Sequence, residues 1–316
     1  MTDTALPTGR TGRQHALAVL QALLVTFLWS TSWILIKVGL DDLDLAPFSF
    51  AGLRYGLAAL LLLPFAIRAM RARDPGGPLS PRLLGGVAVY GLLFVAIAQG
   101  AQFAALSVLP ATAVSLVLAS IPAWVAIMAL VGGRERATAW QAVGIGMLTL
   151  GAALYFGPFE VERGAAFGFV AAGVCVAAAA SSSHLGRILA RDAIARLGGP
   201  IGLTSISMVI GGVALLAVGM ALEGWPSLDP LGWLIVAWLA VVNTAFAFTL
   251  WNHTLRTLTA VESSVVNNTM TIQIAVLAII FLGEELGPLQ LVGLLLAAVG
   301  AAAVQLAPVL QARYRR

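Results

Sequence analysis

Residues Ala139–Phe156, AWQAVGIGMLTLGAALYF, decide how the rest of the chain is read. They form an uncharged, mostly apolar run close to the roughly 20 residues that carry an α-helix across a hydrocarbon layer of about 30 Å. The pattern then returns 149 positions on (290 minus 141). Gln141 falls on Gln290, Gly144 on Gly293, and Gly151-Ala152-Ala153 on Gly300-Ala301-Ala302. Moving backwards, the same register lays Glu135 on Glu284, Val117 on Val266, Ser115 on Ser264, Ala111 on Ala260, Leu109 on Leu258 and Leu106 on Leu255. Small and apolar coincidences are common in such sequence. The weight therefore lies on Glu, Gln and the spaced glycines holding one register across two runs and a loop.

The composition agrees with a bilayer as solvent. Of 316 residues 60% are hydrophobic and 10% charged, with a mean hydropathy of +0.95, whereas soluble domains hold roughly 25% charged residues. Ten runs reach spanning length: Ala16–Val38, Leu45–Met70, Leu83–Leu106, Pro110–Leu130, Ala139–Phe156, Ala165–Arg187, Ile201–Leu222, Leu231–Trp251, Ala260–Leu282 and Gly287–Pro308. They are continuous rather than alternating, which excludes barrel strands. The fold class expected is an all-α integral membrane protein.

Charge sets the expected orientation. With the N-terminus in the cytoplasm, every Lys and Arg except Lys37, Arg54 and Arg163 falls in or beside a cytoplasmic segment, including Arg68, Arg71, Arg73, Arg82, Arg134, Arg136 and Arg256. The positive-inside rule therefore places both termini inside. Acidic residues gather on the opposite side, at Asp41, Asp42, Asp44, Glu160, Glu162, Glu223, Asp229, Glu284 and Glu285. The N-terminus is polar as far as His15, and no cleavable leader is expected. Five helices per repeat reverse the second copy, so the repeat is inverted, the device with which secondary carriers expose a midplane site to each side in turn. The domains expected are a tail at 1–15, repeats at 16–157 and 158–308, and a basic tail at 309–316.

Several stretches carry a resemblance: WSTSWILIKVGL and APFSFAGLRYG in the first two runs, ALSVLPATAVSLVLASIPAWVAIMAL, then GGRE and LGEE before Gln-x-x-Gly. In order and spacing the chain resembles the EamA family of the drug/metabolite transporter superfamily. The resemblance implies ten helices in two inverted repeats and the movement of metabolites such as amino acids, sugars or drugs, often outward. Gly133-Arg134-Glu135 departs from the more usual Leu-Gly-Glu.

The polar residues inside the runs are the candidates for function. A cation in hydrocarbon costs at least about 2.5 kcal/mol and must face protein, water or an anion. Lys37 lies near a helix end and can snorkel towards Asp41 or Asp42. Arg54 lies deeper, and its planar fork suits a carboxylate, a phosphate or helix-end carbonyls; Gly52 and Gly56 beside it would let another helix approach. In AVESSVVNNTMTIQIAVLAII the residues Ser263, Ser264, Asn267, Asn268 and Thr271 form a hydrogen-bonding stripe suited to a cavity wall. Facing candidates are Trp29, Ser32, Trp33, Gln99, Gln102, Ser120, Asn243 and Phe246, with Pro122 free to kink its helix. His184 and Glu262 are candidates for an ion pair or for coupling, as is Lys37. Trp140, Trp225, Trp233 and Trp251 suit interface belts, and Trp124 and Trp238 a deeper position.

Other classes find little footing. No Gly-x-Ser-x-Gly, HExxH, intramembrane aspartate pair or phosphate-binding loop occurs, so neither an enzyme nor a nucleotide hydrolase is expected. Cys175 is the lone cysteine and reads as a core residue; no metal and no cofactor is expected. Basic residues sit in short clusters, which argues against nucleic acid. The expected partners are a small-molecule substrate and the lipid bilayer, with the oligomeric state open. The function expected is a secondary transporter of the inner membrane moving a small metabolite, an amino acid or related solute, outward by alternating access. The alternatives are a multidrug efflux carrier, or a membrane scaffold or lipid-handling protein. Without an Asp or Glu in the middle of any run, exchange and facilitated diffusion stay open.

Overall fold

The computed structural model describes residues 12–71, 80–131, 138–157, 163–197 and 199–314. The Gly133-Arg134-Glu135 loop lies outside the described residues, as do Arg10, Arg73, Arg136, Glu160, Glu162, Arg315 and Arg316. Among the described residues there are helices, turns and loops and no strand. Among the described residues ten helices are long and apolar enough to cross a membrane. They are α1 (Gly12–Asp41), α2 (Pro47–Arg71), α3 (Pro81–Leu106), α4 (Ala111–Leu118 continuing as Ile121–Val131), α5 (Ala139–Phe156), α6 (Arg163–Arg196), α7 (Pro200–Glu223), α8 (Pro230–Thr254), α9 (Ala260–Leu282) and α10 (Pro288–Tyr314).

Local chemistry fixes the ends. Proline opens α2, α3, α7, α8 and α10, where its missing N–H is one that a first turn leaves unpaired anyway. Thr138 with Gln141 and Thr259 with Glu262 form reciprocal capping boxes on α5 and α9. Asp229 Oδ1 accepts from Gly232 N at 2.6 Å at the start of α8. Gly283 ends α9 at φ 66°, a left-handed position that suits glycine. Pro122 cannot donate to the preceding turn, and α4 breaks at Ala119–Ser120 just before it.

The 149-residue register recurs in the backbone. Pro81 and Pro230, Ala111 and Ala260, and Ala139 and Pro288 begin equivalent helices. Both α3 and α8 contain one π-helical stretch, Leu92–Ile97 and Val241–Phe246, and these too are 149 apart. Equivalent helices meet each other head to tail. A Cβ built on Gly151 would stand 2.5 Å from Gly293 O while Gly144 abuts Gly300, so α5 and α10 are antiparallel. In α2 and α7, Gly219 meets Ser49, Gly52 meets Leu216, and Gly212 meets Gly56, again running in opposite senses. Partners of one repeat running antiparallel are the signature of an inverted repeat.

The two ends of the bundle differ in charge. One face carries Asp41, Asp42, Asp44, Glu223, Asp229, Glu284 and Glu285; the other carries Arg68, Arg71, Arg82, Arg196 and Arg256. They also differ in packing. The largest core cluster, with Trp33, Phe50, Phe103, Leu106, Val114, Leu239, Ile274 and Ala278, occupies the half towards the acidic face. Towards the basic face apolar packing divides into separate groups: Leu83 and Val87 with Leu203, Ala18 and Ala22 with Val266, and Ala123 with Leu148 and Ala301. Each of these smaller groups still joins residues of both repeats.

Candidate functional site

The acidic face is held shut by two carboxylates on helix N-termini. Glu223, ending α7, accepts from Phe48 N at 2.8 Å and Ser49 N at 2.7 Å at the start of α2. Glu284, after α9, accepts from Ala111 N at 2.6 Å, Thr112 N at 3.2 Å and Thr112 Oγ1 at 2.5 Å at the start of α4. A carboxylate there meets unpaired N–H groups and the positive end of the helix dipole. Lys37 belongs to this closure. Its Nζ lies 2.8 Å from Asp41 Oδ2 and donates to Leu106 O at 3.0 Å, so it ties α1 to the end of α3.

Below this seal lies a polar cluster. Arg54 is 3% exposed. Its Nε donates to Thr244 Oγ1 at 3.0 Å, and its Cζ lies 5.0 Å from the Tyr55 ring centroid. Thr244 sits in the π-helical stretch of α8 and donates to Leu239 O, five residues back, at 2.8 Å. Tyr55 donates to Gln99 Oε1 at 2.6 Å on α3. No acidic side chain among the described residues comes within ion-pair distance of Arg54. The neighbouring Asn243 donates from Nδ2 to Leu28 O and, at 3.2 Å, to Thr31 Oγ1. Leu28 O can only accept, which fixes the amide orientation and leaves Asn243 Oδ1 enclosed without a partner.

Aromatic rings continue from this cluster towards the basic face. Trp29 lies 5.2 Å from both Phe248 and Trp251, Phe248 lies 6.4 Å from Phe94, and Phe94 stacks on Tyr90 at 5.5 Å. Trp251 packs on Trp29, and Trp124 and Trp238 are each about half exposed.

The polar residues of α9 divide between three directions. Asn267 and Thr271 share a stripe with Ile274 and Ala278. Asn267 is exposed and Thr271 half-buried, whereas Ile274 is 2% and Ala278 0% exposed. Asn268 instead accepts from Gln305 Nε2 at 3.1 Å, and so faces α10, not the stripe. Ser264 is half-buried beside it. Thr269 and Gln273, which the stripe omitted, face α1: Gln273 Nε2 donates to Thr269 Oγ1 at 3.0 Å and Thr26 Oγ1 at 3.3 Å, and Gln273 Oε1 accepts from Ser30 Oγ at 3.0 Å.

The remaining candidates scatter. Ser32 turns its hydroxyl onto Trp29 O at 2.7 Å, and Trp33 is core. Gln102 is buried on α3, three residues beyond Gln99, while Phe246 is 50% exposed. Ser120 donates to Val117 O and lines a groove of about 320 Å³ between α4 and α6 with Trp124, Met128, Ala177 and Ser181. Glu262 serves its capping box and pairs with His15 at 3.2 Å. His184 is half-buried near the basic end of α6. Cys175 is buried between α3 and α6. The residues not anticipated are Thr26, Ser30, Tyr55, Thr244, Phe248 and Gln273. A search for Ser, Thr and Gln at helical spacing on α1 would have found the Gln273 partners.

Ten spanning helices in an inverted repeat, with a polar cluster at mid-depth and one end sealed, define the architecture of a multi-pass membrane carrier. The EamA-like transporter family profile matches residues 16–157 and again 167–306, and the chain belongs to that family. It is similar to an uncharacterized transporter of Bacillus subtilis (strain 168), YoaV, at 24% identity over 252 residues, covering 76% of this chain and 80% of that protein. A solved crystal structure with 20% sequence identity superposes with a TM-score of 0.63, covering 95% of this chain and 99% of its own. That likeness concerns the fold.

Proposed function

We propose that this protein is a secondary transporter of the cell (inner) membrane that moves a small metabolite, an amino acid or related solute, outward by alternating access. The two repeats, 16–157 and 158–308, are its moving halves, and the basic face lies in the cytoplasm. The observation that carries this reading is the α9 stripe. Going from Asn267 to Ala278, one helix face passes from exposed to fully buried, as expected of a wall between an open vestibule and a closed seal. Clustered arginines support the cytoplasmic assignment of the open side. A vestibule open to the cytoplasm loads solute from within, which supports export.

The polar cluster at Arg54, Thr244, Gln99 and Asn243 sits where the vestibule ends, and the rings of Trp29, Phe94 and Phe248 offer an apolar wall beside it. Such a mixture of apolar surface and a few directed polar groups suits a small solute. The test is counterflow: purified protein in liposomes loaded with one unlabelled amino acid should accumulate the labelled form transiently. Absence of counterflow across a panel of amino acids, organic acids and sugars would reject the reading.

A further inference from the structure

We infer that Arg54 is the anchor for a carboxylate of the transported solute, and so that the substrates are carboxylate-bearing molecules. The inference rests on the carrier reading above and names the substrate class of that same site. A fixed cation buried in a membrane protein is ordinarily answered by a carboxylate or by helix-end carbonyls. Lys37 meets both of these, in Asp41 and Leu106 O. Among the described residues Arg54 meets neither. Its one hydrogen bond to a described side chain runs from Nε to the Thr244 hydroxyl, and Tyr55 offers only its ring face.

That arrangement commits one edge of the guanidinium and leaves the other. With Nε on Thr244, the pair of terminal nitrogens is the remaining donor edge, and a carboxylate takes such an edge with two parallel hydrogen bonds. Arg54 as a whole is 3% exposed.

The supports of Arg54 come from three helices. Thr244 is set by the π-helical stretch of α8, whose extra residue per turn lets its hydroxyl reach Leu239 O. Tyr55 is held by Gln99 of α3. Gly52 of α2, with Gly212 and Gly219 of α7, lets α7 close against α2, whereas a Cβ on Gly56 would meet nothing within 4 Å. These contacts preorganise the guanidinium while leaving its charge unmatched, the condition under which an anionic ligand gains most.

The experiment measures ligand-induced thermal stabilisation of the purified full chain with leucine, 4-methylpentanoate and 3-methylbutylamine, extended to the other amino acids, lactate, succinate and inorganic phosphate. Compounds bearing a carboxylate should stabilise the protein and the amine should not. Arg54→Gln should weaken that binding about ten- to a hundredfold, the loss of charge-assisted hydrogen bonds, and Arg54→Lys by less. Arg82→Gln, at an exposed cation of the basic face, should leave it unchanged. If Arg54→Gln fails to fold, Thr244→Val, which frees Nε without removing the charge, should still shift carboxylate affinity. The inference is overturned if no carboxylate stabilises the protein, if the amine or phosphate alone does so, or if both Arg54→Gln and Thr244→Val retain full affinity. Counterflow with unaltered Arg54→Gln kinetics would keep the carrier and remove the anchor; carboxylate binding without flux of any solute would keep the anchor and remove the carrier.

Discussion

Gly144 and Gly300 meet backbone to backbone: a Cβ on Gly144 would stand 2.8 Å from Gly300 O, and one on Gly300 would stand 2.7 Å from Gly144 O. The repeat register maps Gly144 to Gly293 and Gly300 to Gly151, and those two make the reciprocal contact. One interface therefore contains two copies of one contact, related by the inversion. In lipid no hydrophobic force draws two helices together, so close backbone approach supplies the attraction. Gly144→Leu or Gly151→Leu should lower stability by about 2 kcal/mol or more through overpacking. Gly146→Leu, where a Cβ meets nothing within 4 Å, should change it by less than about 0.5 kcal/mol. Melting of the purified variants in detergent separates the two outcomes.

These glycines show how the sequence carries the fold. Spaced glycines and a glutamine in one register encode both the repeat and the surface on which its copies meet, because only glycine permits that approach. The candidate site is less legible. Residues such as Thr244 and Tyr55 act through partners on other helices, and hydropathy contains no information on which helices adjoin. The α9 stripe misassigned Asn268 because an amide on that arc can serve a neighbouring helix as readily as a cavity, and Gln305 settles which. Lys37 was readable in advance, since its partner Asp41 lies one turn away on the same helix.

The Glu284 carboxylate makes three hydrogen bonds with the first turn of α4, and Tyr155 Oη, 2.6 Å from Thr112 Oγ1, extends the network to α5. Glu284→Gln removes the charge and replaces one acceptor oxygen with a donor that faces N–H groups. It should loosen the acidic face by about 1.5–3 kcal/mol, the range for hydrogen bonds to a charged group. A cysteine at Val114, which is fully buried in the seal, should then react with an impermeant maleimide from the acidic face, whereas in the otherwise unchanged protein it should not. Unaltered protection would show that the carboxylate does not hold the seal.

Gln273 stitches α9 to α1 through Ser30, Thr26 and Thr269. Loss of this side chain strands little, because Ser30 Oγ can turn to Thr26 O at 2.8 Å and Thr26 Oγ1 to Leu23 O at 3.0 Å. Gln273→Leu should therefore cost about 1 kcal/mol, in line with intramembrane polar pairs. A double-mutant cycle with Ser30→Ala should return a coupling near 0.5 kcal/mol. A coupling indistinguishable from zero would mean that the pair contributes orientation and not stability.

The graded α9 stripe makes the sharpest test of the vestibule. In a Cys175→Ser background, single cysteines at Asn267, Thr271, Ile274 and Ala278 sample one face at successive depths of roughly 5 Å per turn. If a wet vestibule opens to the basic face, Asn267→Cys should react with a charged thiol reagent added there, Thr271→Cys more slowly, and Ile274→Cys and Ala278→Cys at least about tenfold more slowly than Asn267→Cys, since reaction needs an accessible thiolate. None should react from the acidic face while the Glu284 and Glu223 caps hold. Lipid would not produce this gradient: a charged reagent is excluded from hydrocarbon at every depth, so a lipid-facing stripe would be silent at all four positions. Reaction at Ala278 as fast as at Asn267 would place water along the whole stripe and would replace a sealed carrier state with a continuous pore.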